Sequence, residues 1–205
     1  MTAALQPYKM SFVTGGLFLN ESVEVARMHA SAEPWEDTIR RALETGVSSL
    51  PKAASRRRTL REIVNRISTL NEEELSYLVE DADRPDQQAL LWLATCRAYR
   101  FVREFATEVI HDRFLSFKLE LPLESFDVLF EAKAEWDEGL NGISATTRAK
   151  LRQVLFRMMR EANVITSESR ILAAYVSPQL KAMLARNCPG DLDLFPGLNL
   201  NGGAL

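Results

Sequence analysis

Three short motifs in this sequence have residue types that could do chemistry. Glu108-Val-Ile-His111 has the Glu-x-x-His spacing of carboxylate-bridged metal sites, where side chains three apart on a helix face one ion. Such sites need a second copy of the motif and further carboxylates, and His29, the other histidine, has Ala26 three residues before it. His111 therefore reads as a residue near a helix end, and no metal or cofactor is expected. Asp127 with Glu131-Ala-Lys133 has the residue types of metal-dependent nucleases, in which carboxylates hold Mg²⁺ and the lysine steadies a hydroxide. There the Glu-x-Lys element lies on a strand far from the aspartate, whereas here all three fall in one helical pattern and read as an acidic helix face. Thr14-Gly15-Gly16 lacks the lysine and the length of a phosphate-binding loop, and no Gly-x-Ser-x-Gly or Cys/His pairing offers a nucleophile. The expectation is a protein without a catalytic site.

Basic residues carry the remaining signal. Formal net charge is -3, yet Lys52 to Arg66 holds six Lys/Arg against Glu62 alone, and Arg148 to Arg160 holds five against no acid. Acidic residues gather instead at 71–86 and 124–138, a segregation that polarises a surface. On a helical wheel of about 100° per residue, Lys150, Gln153, Arg157 and Arg160 point away from the apolar stripe Leu151, Val154, Leu155, Met158, Met159 and Ala162. Arg56, Arg57, Arg58 and Arg61 crowd a second helix, on which Arg58, Arg61 and Asn65 project away from Leu60, Ile63, Val64 and Ile67. Arginine pairs with guanine edges, glutamine with adenine and lysine with phosphate, so both faces suit duplex DNA. Each also has a plainer reading as a solvated helix face, with Arg58 paired to Glu62 four residues on.

Caps and spacing predict the elements that position these residues. Helices are expected from Asn20 to about His29, from Pro34 to Glu44 with Gly46 just beyond, and from Ser55 through Ile67. Asn71 and Glu74 make a capping box for a helix ending near Glu80. Asp86 precedes the longest candidate, Gln87 to about Phe114, a spine of about 40 Å if unbroken. Glu124 to Trp136 and the helix through Leu151 follow, separated by a loop with Gly139 and Gly142. Val164-Ile165-Thr166 and Ile171 to Val176 read as a small hairpin, with Arg170 near its tip, and Ser177-Pro178 opens a last helix through about Ala185.

The fold class expected is mainly α and multi-helical, with a helix-turn-helix-like N-terminal half and a winged-helix-like C-terminal half carrying one small β-hairpin. The divisions are a loose tail at 1–10, a helical half at 11–118, a winged-helix-like half at 119–186 and an extended tail at 187–205. Two cysteines, Cys96 and Cys188, make no disulfide framework. With no export signal at the N-terminus and no apolar run near the ~20 residues of a membrane span, the cytoplasm is the expected location.

Four stretches together resemble the BrxA family of BREX phage-defence systems: Ser11-Phe-Val-Thr-Gly-Gly-Leu-Phe-Leu-Asn-Glu-Ser22, Leu90-Leu-Trp-Leu-Ala-Thr-Cys-Arg-Ala-Tyr-Arg-Phe101, Phe130-Glu-Ala-Lys-Ala-Glu-Trp136 and Lys150-Leu-Arg-Gln-Val-Leu-Phe-Arg-Met-Met-Arg-Glu-Ala162. The resemblance runs from about Ser11 to Leu184. It implies a non-enzymatic accessory component encoded beside a methyltransferase and a large ATPase, mainly helical, similar in fold to a helical antitermination factor, and binding double-stranded DNA. Other BREX subunits are its implied partners. Two further readings stay open: an interaction scaffold of the BREX assembly using the acidic and aromatic stretch from Glu124 to Trp136, and an RNA-binding protein.

Overall fold

In a computed structural model of the chain, residues 7–12, 15–47 and 53–198 are described. Expectations for residues 1–6, Thr14, Lys52 and the tail past 198 lie outside the described residues.

The described chain is mainly helical. Helix α1 spans Leu19–Met28 and α2 spans Trp35–Thr45, ending where Gly46 takes a positive φ of 79°. In α3, Ala53–Ile67, the stripe Leu60, Ile63, Val64 and Ile67 is buried as its spacing requires. Helix α4, Glu72–Glu80, opens on the expected reciprocal cap: Glu74 N–H donates to Asn71 Oδ1 at 2.9 Å and Asn71 N–H to Glu74 Oε2 at 3.0 Å.

Helix α5, Arg84–Ala98, starts three residues before the expected position because Asp83, not Asp86, is its cap. Asp86 is buried instead, accepting from the Tyr77 hydroxyl at 2.5 Å and from Ser177 N–H at 2.9 Å. Every residue from Ala89 to Cys96 is buried.

The continuous spine expected to Phe114 does not form. The helix breaks at Tyr99, which is extended at φ -128° and ψ 104°, and resumes as α6, Arg100–Glu104. A π-helical segment, Phe105–His111, and a single turn α7, Asp112–Leu115, complete it. Tyr99 turns fully inward at the break, edge-on to Phe12, with its hydroxyl donating to Glu62 at 2.6 Å.

Helix α8 spans Glu124–Ala134. A short α9, Glu138–Asn141, capped by the Asp137 side chain, stands where a glycine loop was expected. Ser144 caps α10, Ala145–Glu161, and Ser177 caps α11, Pro178–Asn187. Phe101, Phe105, Phe126, Phe130 and Phe156 join α6, the π segment, α8 and α10 through ring contacts, within one core running from Phe12 to Leu198.

The expected hairpin is reduced to isolated bridges, Ile165 with Ile171 and Glu120 with Arg170. The arms still exchange Thr166 N–H to Arg170 O at 2.8 Å and Leu172 N–H to Val164 O at 2.9 Å on either side of the Ile165–Ile171 pair, while Ile171 N–H, on the other edge, donates to Leu119 O at 2.7 Å. Pairing stops beyond Leu172, where the next donor facing the first arm, Ala174 N–H, goes to Pro196 O at 2.8 Å.

Both tails also differ from expectation within the described residues. Tyr8 donates to Glu104 at 2.5 Å and packs edge-on to Phe101, so residues 7–10 are docked. Beyond α11 a 3₁₀ turn, Pro189–Leu194, buries Leu192 and Leu194, and Phe195 and Leu198 follow. Trp92 Nε1–H donates to Leu194 O at 3.1 Å, and buried Asp191 accepts from Arg97 at 2.9 Å and Arg103 at 2.7 Å. Pro189 and Gly190 open the 3₁₀ turn, and Pro196 and Gly197 form the turn that follows Phe195.

Candidate nucleic-acid interface

Helix α10 separates its cations into two groups. Leu151, Val154, Leu155, Met158 and Met159 face the core, and Phe156, outside that stripe on the wheel, is buried against Phe105. Lys150, Gln153, Arg157 and Arg160 are exposed on the opposite face. Arg148 and Arg152 point sideways to α8, where Arg148 Nε donates to Asp127 at 2.8 Å, Arg148 Nη2 to Glu131 at 2.9 Å, and Arg152 also pairs with Asp127. Two of the five cations therefore clamp helices together and three, Lys150, Arg157 and Arg160, face outward.

The carboxylates of the nuclease-like set are occupied by this clamp. Its lysine is engaged too: Lys133 Nζ lies 2.7 Å from Glu108 and 3.1 Å from Glu104. Burial alone would lower the Lys133 pKa, but its hydrogen bonds to Glu108 and Glu104 outweigh that and push the value up, so Lys133 stays an ammonium. Glu108 is thereby tied to Lys133, while His111 on the π segment has a buried Nδ1 with no hydrogen-bond partner. Among the described residues, no three His, Cys, Asp or Glu side chains gather as a metal site. Cys96 is fully buried, and burial raises its thiol pKa well above the ordinary range.

Helix α3 presents Arg57, Arg58 and Arg61 on its exposed face, while Arg56 is half-buried with an unpartnered Nε. The Arg58–Glu62 pair does not form. Glu62 is buried, held by the Arg66 Nε–H at 2.8 Å and by the Tyr99 hydroxyl, and so leaves the outer arginines without it. Asn65 is half-buried rather than free to read a base edge: Lys9 donates to its Oδ1 at 2.6 Å, and its amide donates to Tyr99 at 3.3 Å. Arg170 is exposed beside the reduced hairpin.

A connection that local patterns do not reveal ties the two basic helices together. Glu161 at the end of α10 accepts from Leu17 N–H at 2.5 Å and from Arg157 Nε at 2.7 Å. A Cβ on Gly16 would lie 2.1 Å from Glu161 Oε2, so the carboxylate fits only because residue 16 is glycine. The Gly16 carbonyl in turn accepts from Arg66 of α3 at 2.8 Å, and the Arg66 guanidinium lies 5.7 Å from the Phe18 ring centroid and 5.9 Å from that of Tyr99. The Gly15-Gly16 pair was the sequence signal for a close approach, but it named no partner.

These features define a helical protein in which several cations are bound in ion pairs between elements, while α3 and α10 each present exposed cations. The sequence profile of the BrxA family matches residues 6–188, and the chain belongs to that family. It is similar to "BREX protein BrxA" of Escherichia coli O9:H4 (strain HS), 28% identical over 129 residues, which are 62% of this chain and 60% of that protein. The match thus spans less than two thirds of the relative's length. In fold it is similar to an uncharacterized protein from Magnetospirillum magneticum solved by crystallography, with a TM-score of 0.75 and 23% identity over 92% of this chain and 96% of that one. Among the described residues, no helix is long and apolar enough to cross a membrane.

Proposed function

We propose that this protein is a non-enzymatic accessory component of a BREX phage-defence system that binds double-stranded DNA. Family membership and the BREX relative support the defence role. The observation that carries DNA binding is the outer face of α10, where Lys150, Gln153, Arg157 and Arg160 are exposed together, Arg157 with a one-turn pair to Glu161, whereas the neighbouring Arg148 and Arg152 are drawn into ion pairs with α8. Arg57, Arg58 and Arg61 of α3 and Arg170 supply further phosphate contacts, and Gln153 is the residue placed to touch a base edge. In this reading α2 and α3 act as the helix-turn-helix-like pair and α10 as the recognition helix.

The test is binding of the full chain to a labelled duplex at two salt concentrations, beside a variant with Arg157→Gln and Arg160→Gln. Strong salt dependence in the parent, reduced in the variant, supports the reading. Absence of binding by the parent overturns it, and preference for a structured RNA competitor replaces the duplex with RNA.

A further inference from the structure

A second surface is apolar and acidic where the first is basic. Of the six large apolar side chains that are exposed among the described residues, five lie between residues 115 and 136: Leu115, Phe117, Leu123, Val128 and Trp136. Between the π segment and α8 runs a groove of about 460 Å³, with Val109, Pro122, Val128, Leu129 and Ala132 in its wall. Val128, at the middle of α8, is 67% exposed, although β-branched apolar residues at a solvent face contribute nothing to helix stability. Val128 thus gives the groove an exposed apolar wall, the kind of surface that marks a contact.

Charge around the groove selects the occupant. Glu108, Glu124 and Arg113 line it. Glu108 is engaged by Lys133; Arg113, whose Nε donates to the Glu120 carbonyl at 2.9 Å, keeps its charge and is the one cation in the groove wall among the described residues. Asp112, Glu120, Glu124 and Glu135 are exposed near it or along α8, and none has an ion-pair partner among the described residues. A second copy of this face would set those carboxylates against themselves, which is unfavourable for a two-fold contact.

We infer that the α8 groove docks a helix of a partner protein, one whose apolar stripe is flanked by Lys and Arg. The apolar side chains of that helix fill the groove beside Val128 and Leu129, and its cations meet Glu124 and Glu135. The inference concerns a surface separate from the basic face of α10, so it stands or fails independently of DNA binding.

The test is selection of 16-residue peptides from a displayed random library against the full chain, followed by affinity measurement on the parent and on Val128→Asp. Val128 is exposed, so the substitution leaves the fold intact, which an unchanged melting curve checks. Winners should carry apolar residues at helical spacing flanked by Lys/Arg, and should lose at least about tenfold in affinity for Val128→Asp, with duplex binding unchanged. Winners that bind both proteins equally, winners with acidic flanks, or no winners overturn the inference. Sedimentation of the parent and Val128→Asp tests the other occupant: a dimer that the substitution dissolves assigns the groove to a second copy and also overturns it.

Discussion

Replacing Arg157 and Arg160 by glutamine should flatten the salt dependence of duplex binding by a calculable amount. Seven exposed cations, Arg57, Arg58, Arg61, Lys150, Arg157, Arg160 and Arg170, are the pool for phosphate contacts. If all seven engage, log K should fall with log[salt] at a slope of about -6, since each contact contributes about -0.9. Removing two of them lowers the slope by about 1.8. Over a fourfold rise in salt, from about 50 to about 200 mM, the parent should then lose about twelvefold more affinity than the variant.

Glutamine is the better replacement because Glu161 holds the Leu17 N–H as well as Arg157. A glutamate at 157 would repel that carboxylate and disturb the loop, confounding binding with folding. Arg157 is 60% exposed on its side chain, so its loss to glutamine should change stability by no more than about 0.5 kcal/mol. Fluorescence anisotropy across five salt concentrations measures the slope, and a melting curve controls for folding. Equal slopes for parent and variant would refute α10 as a phosphate-contacting face, and a parent slope near zero would refute the electrostatic reading altogether.

Three further outcomes are expected. Asp191→Ala should destabilise the chain by about 3 kcal/mol in urea unfolding, because it leaves half-buried Arg97 with one carboxylate fewer; the partial exposure of Arg97 and Arg103 keeps the figure at the low end for a broken buried pair. Burial works to raise the Asp191 pKa, but hydrogen bonds from Arg103 and Arg97 and their charges outweigh it and hold the value below the usual aspartate range. The contribution of a depressed carboxylate is present above the unfolded value of about 3.9 and lost as pH falls through the folded one, so parent and Asp191→Ala should converge in stability only in acid. Gly16→Ala should force Glu161 off Leu17 N–H and cost about 1.5–3 kcal/mol, the range for a hydrogen bond to a charged group; an unchanged melting curve would show that the loop yields freely. Asp127→Asn should weaken the hold on Arg148 and Arg152 and lower stability by about 1–2 kcal/mol, yet leave phage defence intact in cells; loss of defence with intact folding would revive a catalytic role for the Asp127, Glu131 and Lys133 set.

Much of the candidate interface was legible in the sequence because helix faces are local. The 3.6-residue period puts Leu151, Val154, Leu155, Met158 and Met159 on one side, and Lys150, Gln153, Arg157 and Arg160 on the other, whatever the rest of the chain does. The Asn71–Glu74 box and the Ser177-Pro178 start were equally local, since each cap needs only residues three positions apart. Family membership was readable for a related reason: a handful of stretches in order identify it without their contacts.

What the sequence could not decide were pairings across distance. Charge counts made Arg148 and Arg152 equal to Arg157 and Arg160, and only the packing of α8 against α10 separated structural cations from exposed ones. Glu62 lay one turn from Arg58, but burial gave it to Arg66 and Tyr99, since a buried carboxylate must be matched by a buried donor. Distant partners likewise meet Tyr99 at the break in the long helix, take Ala174 N–H to Pro196 and so end the hairpin, and fasten the 187–198 segment through Asp191 and Leu194. The sequence by itself determined most of the helices and the faces they offer; tertiary structure decided where the long one breaks and which charges remain outside, because desolvation is set by neighbours that are far away in the chain.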